Sequence, residues 1–463
     1  MATLIIVVFV VGYLAITLEH SLKIDKLIPA LIMMAISWAM IALGIDAFPE
    51  WFDSANHGLI EGFSENDHDS KMHIMEETLL HHLGKTAEIL VFLLGAMTIV
   101  EIIDYFDGFA TIKSYIKTKS KRKILWFFCI MAFILSAIID NLTATIVLIS
   151  ILQKIVRERS ARIWFAGLII IAANAGGAWS PIGDVTTTML WIGDKVTTLN
   201  LIKYLFIPSL VCMVVPAFVA SFLPAFKGDL EIQSEDDGKP NKFSATMLYL
   251  GLGAIVSVPI FKTVTHLPPY VGMMFALGIV AIFAELYSSS KFSLTNIDST
   301  EHDEHAFHSP VHHSLSKIEM PSILFFLGIL MAVAALESLG LLFGFANNLK
   351  ETMPMMGTEL DGTAVSDIVV VLLGIGSAVI DNVPLVAASL GMFSEPVDDQ
   401  LWHFIAYSAG TGGSMLIIGS AAGVVAMGME KIDFFWYLKK IAWLAFIGFI
   451  AGALTFFLTR MWF

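Results

Sequence analysis

Charged side chains are scarce in this sequence. Only 15% of its 463 residues are Asp, Glu, Lys or Arg, whereas soluble domains contain about 25%, and this scarcity excludes an ordinary cytosolic enzyme. Apolar residues make up 57% of the chain, and the mean hydropathy is +0.78. The apolar residues fall into many runs of the roughly 20 residues that a helix needs to cross a bilayer. The composition therefore predicts an all-α polytopic membrane protein.

Cysteine and N-terminal basic residues are also scarce. Cys129 and Cys212 both lie in apolar runs, where a thiol behaves as a small hydrophobe, so no disulfide framework is expected. No basic residue precedes the first apolar run, which we expect to be a retained helix rather than a signal peptide. The net charge of -14 is local, because residues 46–77 carry nine acidic residues against Lys71 alone. We therefore expect a polar loop there and no nucleic-acid partner. No cofactor is expected.

Several apolar runs are too long for one simple crossing. The run 124–156 would reach about 50 Å as a single helix, which exceeds the bilayer core. The runs are approximately 2–18, 27–45, 87–105, 124–156, 163–191, 203–226, 244–261, 269–287, 319–343, 366–393, 402–428 and 434–459. The longest of them must tilt, protrude or fold back.

The sequence repeats itself across its two halves. The segment Ser136-Ala-Ile-Ile-Asp140-Asn141 matches Ser377-Ala-Val-Ile-Asp381-Asn382, which follows 241 positions later. Gly176-Gly177 and Gly183 recur 236 positions later as Gly412-Gly413 and Gly419, and Glu101 recurs as Glu337. This self-similarity predicts a first repeat over 1–226, a linker at 227–242 and a second repeat over 243–463.

Charges beside the two long runs indicate how each repeat sits in the membrane. Lysine and arginine flank the run 124–156 on both sides, so both flanks are expected in the cytoplasm, whereas the run 366–393 has acidic flanks that can both lie outside. The basic residues are Lys113, Lys117, Lys119, Lys121, Arg122, Lys123, Lys154, Arg157, Arg159 and Arg162, and the acidic residues are Glu359, Asp361, Asp367, Glu395, Asp398 and Asp399. Each run is thus predicted to be a re-entrant helical hairpin with its Asp-Asn pair near the tip.

The number of crossings sets the relation between the repeats. Each repeat has three spans, one hairpin, one interrupted span at about 163–191 or 402–428, and a final span, which makes five crossings. An odd number inverts the second repeat, and inverted repeats with discontinuous helices are the architecture of secondary transporters. Residues 46–77 and both termini are then expected outside, with the linkers 227–242 and 288–317 in the cytoplasm. The predicted location is a plasma membrane, the bacterial inner membrane.

Asp140 and Asp381, with Asn141 and Asn382, are the main candidate functional residues. An ionised carboxylate at membrane depth costs several kcal/mol, so such a residue indicates a functional site. The alternative is that each aspartate only caps the returning helix of its hairpin. The two interpretations are compatible, because helix ends hold ions in broken-helix transporters.

The interrupted spans supply further oxygen atoms. Residues 173–184 place Asn174, two glycines, Pro181 and Asp184 inside one apolar run, and Thr186, Thr187 and Thr188 follow. The second copy offers Thr411 and Ser414, with Ser420 at the position of Asp184. Carboxylate, amide and hydroxyl oxygens suit a small hard cation. For any single hydroxyl, interhelical hydrogen bonding is an equally good interpretation.

Other acidic and histidine residues carry weaker signals. Glu101 and Glu337 recur in both repeats, although solvated carboxylates at helix ends would look the same. The segment 301–313 contains five histidines in no zinc-binding spacing; a solvated linker is expected there, and metal binding or pH sensing is the alternative. Residues 72–82 fit either an interfacial amphipathic helix or a loop helix.

These motifs resemble the ion transporter superfamily, and most closely its NhaD-type sodium/proton antiporters. The resemblance runs over nearly the whole chain and rests on Ser136–Thr143, Asn174–Thr187 and Ser377–Pro384. It implies two hairpins, a scaffold domain that forms a homodimer, and elevator-like movement. It also implies exchange of Na+ or Li+ for H+, with Na+ at Asp140, Asn141, Asp381 and Asn382 and further cation or proton ligands at Asn174 and Asp184. Supporting residues are expected at Ser136, Thr143, Thr186, Thr187, Ser377, Thr411, Ser414, Glu101 and Glu337.

The two Asp-Asn motifs differ most at their last position, where the first has Thr143 and the second has Pro384. Related sodium-coupled dicarboxylate carriers have a neutral Ser-Asn-Thr at the hairpin tips instead of Asp-Asn. A tip with its own carboxylate can neutralise a cation without an anionic substrate. We therefore predict an antiporter in which Na+ and protons compete for the same oxygens, supporting pH homeostasis and salt tolerance in a lipid membrane.

Three other functions stay open at this point. An oxyanion, carboxylate or metalloid carrier would need basic residues facing the site, and the predicted spans supply none. An intramembrane aspartyl protease would need two carboxyls that share a proton, but the sequence has Pro-Ile-Gly-Asp184 rather than Gly-x-Gly-Asp. A passive channel would carry cations without coupling to pH. We expect a transporter and not an enzyme.

Overall fold

The structure is a computed structural model of the chain. This structure describes residues 1–54, 58–113, 115–116, 118–230, 242–295, 309–352, 365–379 and 381–461. The helices are α1 Ala2–Thr17, α2 Glu19–Leu22, α3 Leu27–Leu43, α4 His68–Tyr105, α5 Ala110–Lys113, α6 Lys121–Ile139, α7 Asn141–Ile155, α8 Arg159–Gly177, α9 Val185–Ile192, α10 Thr198–Ala220, α11 Ser244–Thr265, α12 Pro269–Thr295, α13 Pro310–Lys317, α14 Met320–Ser338, α15 Leu341–Thr352, α16 Asp367–Gly376, α17 Asn382–Met392, α18 Gln400–Gly412, α19 Ala421–Glu430, α20 Phe434–Lys440 and α21 Ala442–Thr459.

The all-α polytopic class is confirmed. Within the described ranges, eight helices have the length and apolar composition needed to cross a membrane: α4, α6, α8, α10, α11, α12, α14 and α21. The described β structure is one short antiparallel ribbon, Phe52–Asp53 paired with Gly58–Leu59. Cys129 and Cys212 are buried free thiols.

Helix α4 corrects one detail of the sequence analysis. Residues 72–82 are neither a separate interfacial helix nor a loop helix, because α4 runs without interruption for 38 residues from His68 to Tyr105. The first part of this helix contains no proline, and its single glycine, Gly84, costs only about 1 kcal/mol relative to alanine. At roughly 1.5 Å per residue α4 is longer than the bilayer core is thick, so its polar N-terminal part extends beyond the apolar layer.

The helices pack in two groups, and most contacts within and between them come in matched pairs. The framework group contains α1, α3, α4, α11, α12 and α14; in it α3 packs on α14 as α12 packs on α4. The broken-helix group contains α6 to α10 and α16 to α21; in it α6 packs on α8 as α16 packs on α18. Across the repeats α7 packs on α19 as α17 packs on α9, while α10 and α21 pack on each other.

Two repeat-related glycines allow the closest of these contacts. A Cβ atom on Gly176 of α8 would lie 2.7 Å from the Cα atom of Phe133 in α6, and one on Gly412 of α18 would collide with the backbone of Gly374 in α16. Backbone atoms cannot move aside as a flexible side chain can. Any side chain at either position would therefore separate an interrupted helix from the helix that precedes the Asp-Asn motif.

The interrupted helices are tied together at their outer ends by polar contacts. Arg159, at the start of α8, donates to the backbone oxygens of Glu430 and Lys431 at the end of α19. At the start of α18, the Asp398 carboxylate accepts hydrogen bonds from Thr197 N (2.7 Å), Thr197 Oγ1 (2.8 Å) and Asn200 Nδ2 (2.8 Å) beside the end of α9. These contacts hold the two interrupted helices side by side.

The Asp398 contacts predict a pH-dependent stability. Burial raises the pKa of the Asp398 carboxyl, but the His403 ring 3.5 Å away and the hydrogen bonds from Thr197 and Asn200 outweigh burial, so the pKa lies well below its usual range. A carboxyl whose pKa is lower in the folded than in the unfolded protein stabilises the fold at any pH above its unfolded pKa of about 3.9. This stabilisation is lost progressively as the pH falls from that value toward the pKa in the folded protein. We expect Asp398→Asn to lower the thermal unfolding midpoint by about 2 °C at pH 7, with a smaller difference from wild type near pH 3.

Tryptophan fluorescence of the purified protein in detergent measures these midpoints. Asp194→Asn is the matched control, because the Asp194 side chain is 76% exposed. A difference between Asp398→Asn and wild type that stays constant from pH 7 to pH 3 would contradict the stabilising role of the ionised carboxylate.

Candidate functional site

Asp184 lies at the centre of a buried hydrogen-bond cluster between the interrupted helices. Its Oδ2 accepts a hydrogen bond from Asn141 Nδ2 at 2.7 Å and another from Asn382 Nδ2 at 3.2 Å. Asn141 and Asn382 are the first residues of α7 and α17. One carboxylate therefore joins the two Asp-Asn motifs, and its residue is only 2% exposed.

Two further polar residues complete this cluster. Asn174 Oδ1 accepts from Asn141 Nδ2 at 2.9 Å, and Asn174 Nδ2 donates to Ser420 Oγ at 3.0 Å. Ser420 caps α19 in the same way that Asp184 caps α9, since each side chain accepts from a backbone N–H of its helix. The cluster, which we call the central cluster, comprises Asn141, Asn174, Asp184, Asn382 and Ser420.

The central cluster has a composition suited to a small cation. It joins four helix ends, at α7, α9, α17 and α19, and offers amide, hydroxyl and carboxylate oxygens. Such oxygen donors are the ligands of hard cations.

Asp140 has an unusual backbone conformation. It connects α6 to α7 with φ 77° and ψ 159°, a region that residues with a Cβ rarely adopt and that costs of order 1–3 kcal/mol. Its carboxylate accepts hydrogen bonds from the Thr143 N–H and the Thr143 hydroxyl, both at 2.8 Å. The aspartate thus caps α7, as one interpretation of the sequence proposed, and strain at such a position is typical of functional sites.

Asp381 has a different environment. Its backbone is unstrained at φ -46°, and its carboxylate accepts a longer hydrogen bond from Val383 N at 3.3 Å. The Lys26 ammonium lies 3.6 Å from Asp381 Oδ2 and 4.5 Å from the centre of the Phe325 ring. Lys26 is not recognisable from the sequence as a site residue, because it lies one residue before the apolar run 27–45. Asp140 is thus held by Thr143, whereas Asp381, which is followed by Pro384 in place of a threonine, is paired with Lys26.

Most of the supporting hydroxyls make structural hydrogen bonds to backbone oxygens. The Ser136 hydroxyl donates to Ala173 O and so ties α6 to α8. In the second repeat, the Ser377 hydroxyl at the end of α16 donates to Ala409 O of α18. The other such donors are Thr187 to Asp184 O, Thr411 to Tyr407 O and Ser414 to Thr411 O. The buried Thr186 hydroxyl has no hydrogen-bond partner among the described residues, and its N–H donates to Asp184 Oδ1 at 3.0 Å.

Glu101 and Glu337 lie in separate cavities away from the central cluster. Glu101 lines a cavity of about 210 Å³ that also reaches Thr143 and Lys154. Glu337 lines one of about 180 Å³ beside His82, whose ring lies 3.1 Å from the Ser54 hydroxyl. Each glutamate faces the helix that follows its own repeat's Asp-Asn motif, α7 or α17.

The histidine-rich segment falls mostly outside the described residues. Residues 301–308 are not described, whereas His312 and His313 belong to α13, where the His313 ring contacts Tyr105 at 5.4 Å. Of the linker 227–242, residues 231–241 also lie outside the described part. Within the described ranges, no group of three or more His, Cys, Asp and Glu residues has metal-binding geometry.

Interrupted membrane helices whose ends meet around a buried carboxylate are the arrangement of a secondary transporter. A family model described as citrate transporter, CitMHS, matches residues 4–402, and the chain belongs to this family.

The chain is also similar to individual proteins that are named as sodium/proton antiporters. The chain is 40% identical to "Sodium/proton antiporter 1" of Arabidopsis thaliana over 454 residues, which cover 96% of this chain and 70% of that protein. It is 36% identical to "Sodium/proton antiporter 2" of the same plant, with 97% of each chain covered. It is 33% identical to the "Na(+)/H(+) antiporter NhaD" of Vibrio parahaemolyticus over 79% of this chain and 89% of that one. The resemblance drawn from the sequence motifs is thus confirmed.

Proposed function

We propose that the protein exchanges Na+ for H+ across a membrane, and that the two cations compete for the Asp140, Asp184 and Asp381 carboxylates. The observation that carries the proposal is the Asp184 carboxylate, which accepts amide hydrogen bonds from both Asp-Asn motifs inside the protein. The names of the antiporter relatives support the same exchange. Li+, which has the same charge and the same preference for oxygen ligands, is proposed as a second substrate.

Competition follows from the chemistry of carboxylates away from water. A buried carboxylate is costly as an anion, so it takes up either a proton or a nearby cation. Binding of Na+ then displaces protons, and protons displace Na+. If the loaded site faces each side of the membrane in turn, a proton gradient drives Na+ in the opposite direction.

Alternating access is proposed to use two inverted repeats, 1–226 and 243–463, each with a re-entrant hairpin. The matched packing of α6 on α8 and α16 on α18, and of α7 on α19 and α17 on α9, supports this symmetry. We further propose that the broken-helix group moves against the framework group, that both termini lie outside, and that the protein is a homodimer in a bacterial inner membrane. Salt tolerance and pH homeostasis would follow from Na+ extrusion.

The alternative function is transport of citrate or another carboxylate, and the description of the family model as a citrate transporter supports this alternative. A multiply charged anion needs a positive site. Around the central cluster, the ionised groups described above are three aspartates and Lys26, which leave two negative charges when all are ionised. This balance favours a cation as the substrate.

Everted membrane vesicles from cells without their own sodium/proton antiporters test the exchange. Respiration acidifies the vesicle interior and quenches a pH dye, and we expect NaCl or LiCl to restore fluorescence. Choline chloride is the ionic-strength control, and choline citrate tests the anion carrier. A response to choline citrate but not to NaCl would overturn the proposal in favour of the carboxylate carrier, and a Na+ flux that ignores the pH gradient would indicate a channel.

A further inference from the structure

Lys26 connects the framework group to the Asp381 carboxylate. It precedes the first residue of α3, in the framework group, whereas Asp381 precedes α17, in the broken-helix group. The ammonium lies 3.6 Å from Asp381 Oδ2, with side-chain exposures of 19% and 15%. An ion pair with so little exposure is screened less than a surface pair.

The surroundings of this pair leave room for a competing ion. Lys26 and Asp381 line an open cavity of about 450 Å³, together with Tyr13 and Thr17 of α1 and Met427 of α19. The Tyr13 hydroxyl is buried and has no hydrogen-bond partner among the described residues. Solvent cations can therefore approach Asp381 from the same cavity that holds the lysine.

Asp140 has no such partner. Both of its carboxylate oxygens accept hydrogen bonds from Thr143, and within the described ranges no lysine or arginine forms an ion pair with it. The two Asp-Asn motifs are related by sequence, and the asymmetry has two sources: Thr143 of the first motif is replaced by Pro384 in the second, and Lys26 of the framework group lies beside Asp381.

We propose that Lys26 is a tethered cation that occupies Asp381 when Na+ is absent and is displaced when Na+ binds there. This inference rests on the proposed sodium/proton exchange. An ammonium neutralises a carboxylate as Na+ does, but it is attached to the framework and cannot be transported. Movement of the broken-helix group against the framework must separate the pair, so displacement of Lys26 by Na+ frees that movement. Lys26 is in this sense a positioning and affinity-setting residue.

The consequence is a lower apparent affinity for Na+ than the carboxylate alone would give. We expect Lys26→Met to lower the apparent KM for Na+ by about three- to tenfold, because it removes a competing ion pair that is mostly buried. Lys26→Arg keeps a tethered cation and is expected to stay within about twofold of wild type. The measurement is dye dequenching against Na+ concentration in everted vesicles, with choline chloride keeping the ionic strength constant.

Lys23→Met is the matched control. Lys23 lines the same cavity, and the change removes the same charge, but no ion pair of Lys23 is found among the described residues. A lowered KM in Lys26→Met, with Lys23→Met at the wild-type value, supports the proposal. An unchanged or raised KM in Lys26→Met overturns it, and so does an equal fall in both variants, because a general change of surface charge would then be the cause.

A second readout does not depend on transport. The Na+ concentration that half-maximally raises the thermal unfolding midpoint of the purified protein is expected to fall in Lys26→Met, or in Lys26→Gln if the methionine variant does not fold. An unchanged concentration overturns the proposal. If wild-type vesicles show no Na+-dependent proton movement, the sodium/proton exchange itself fails; if they do and only the Lys26 effects are missing, this inference alone fails.

Discussion

Asp184→Asn is expected to reduce Na+-dependent proton movement about a hundredfold, although the variant should fold. A neutral amide no longer offsets the charge of a bound cation, and a loss of about 3 kcal/mol in cation binding corresponds to roughly a hundredfold in affinity. Asparagine retains an oxygen that can accept from Thr186 N and so cap α9, but it cannot neutralise Na+ or carry the exchanged proton. Dye dequenching in everted vesicles at saturating Na+ measures the loss.

Asp433→Asn is the control for this prediction. Asp433 also caps a helix, because its carboxylate accepts from Trp436 N at 2.9 Å, but it lies at the start of α20 and away from the central cluster. We expect wild-type exchange from this variant. Exchange by Asp184→Asn at half the wild-type rate or more would show that the central carboxylate is only structural.

The double variant Asp140→Asn with Asp381→Asn is expected to show no exchange above vesicles that lack the protein. The two carboxylates cap α7 and α17, and an asparagine oxygen can accept the same backbone hydrogen bonds. The fold should therefore persist while the two charges that offset a bound cation are gone. Each single variant should retain less than a tenth of wild-type exchange, since the charge balance that binds Na+ is already shifted by one unit.

A matched double variant separates charge from capping in this experiment. Asp399→Asn with Asp433→Asn also changes two capping aspartates, whose carboxylates accept from Leu401 N at 2.8 Å and from Trp436 N at 2.9 Å. Wild-type exchange is expected from it. Residual Na+-dependent dequenching by the Asp140 and Asp381 double variant would place the cation elsewhere in the molecule.

Some of the architecture could be predicted from the sequence because membrane burial leaves a strong local signal. Apolar runs predict helices, and the sequence placed glycines and a proline inside the run 163–191, where the structure ends α8 at Gly177 and begins α9 at Val185. The repeated Asp-Asn motif identified Asn141 as a candidate, the interrupted run 163–191 identified Asn174 and Asp184, and the structure brings these three side chains within hydrogen-bond distance. Their role in transport stays a prediction.

The remaining features depend on contacts between distant segments. Periodicity could not reveal that Asn382 reaches Asp184, which lies in the other repeat. Lys26 precedes an apolar run and reads as an ordinary flanking charge, and only the packing of the framework group places it beside Asp381. The length of α4 was also underestimated, because its polar N-terminal half lacks the apolar signal on which the predicted run 87–105 was based.

Proton release on Na+ binding tests the central claim most directly. Purified protein in a weakly buffered detergent solution is mixed with NaCl, and the pH of the solution is followed; choline chloride is the control. Competition for the same carboxylates predicts saturable release of protons by NaCl from the wild type and none from Asp184→Asn. Saturable binding of Na+ to the wild type by calorimetry, without any proton release across pH 6 to pH 9, would contradict the account.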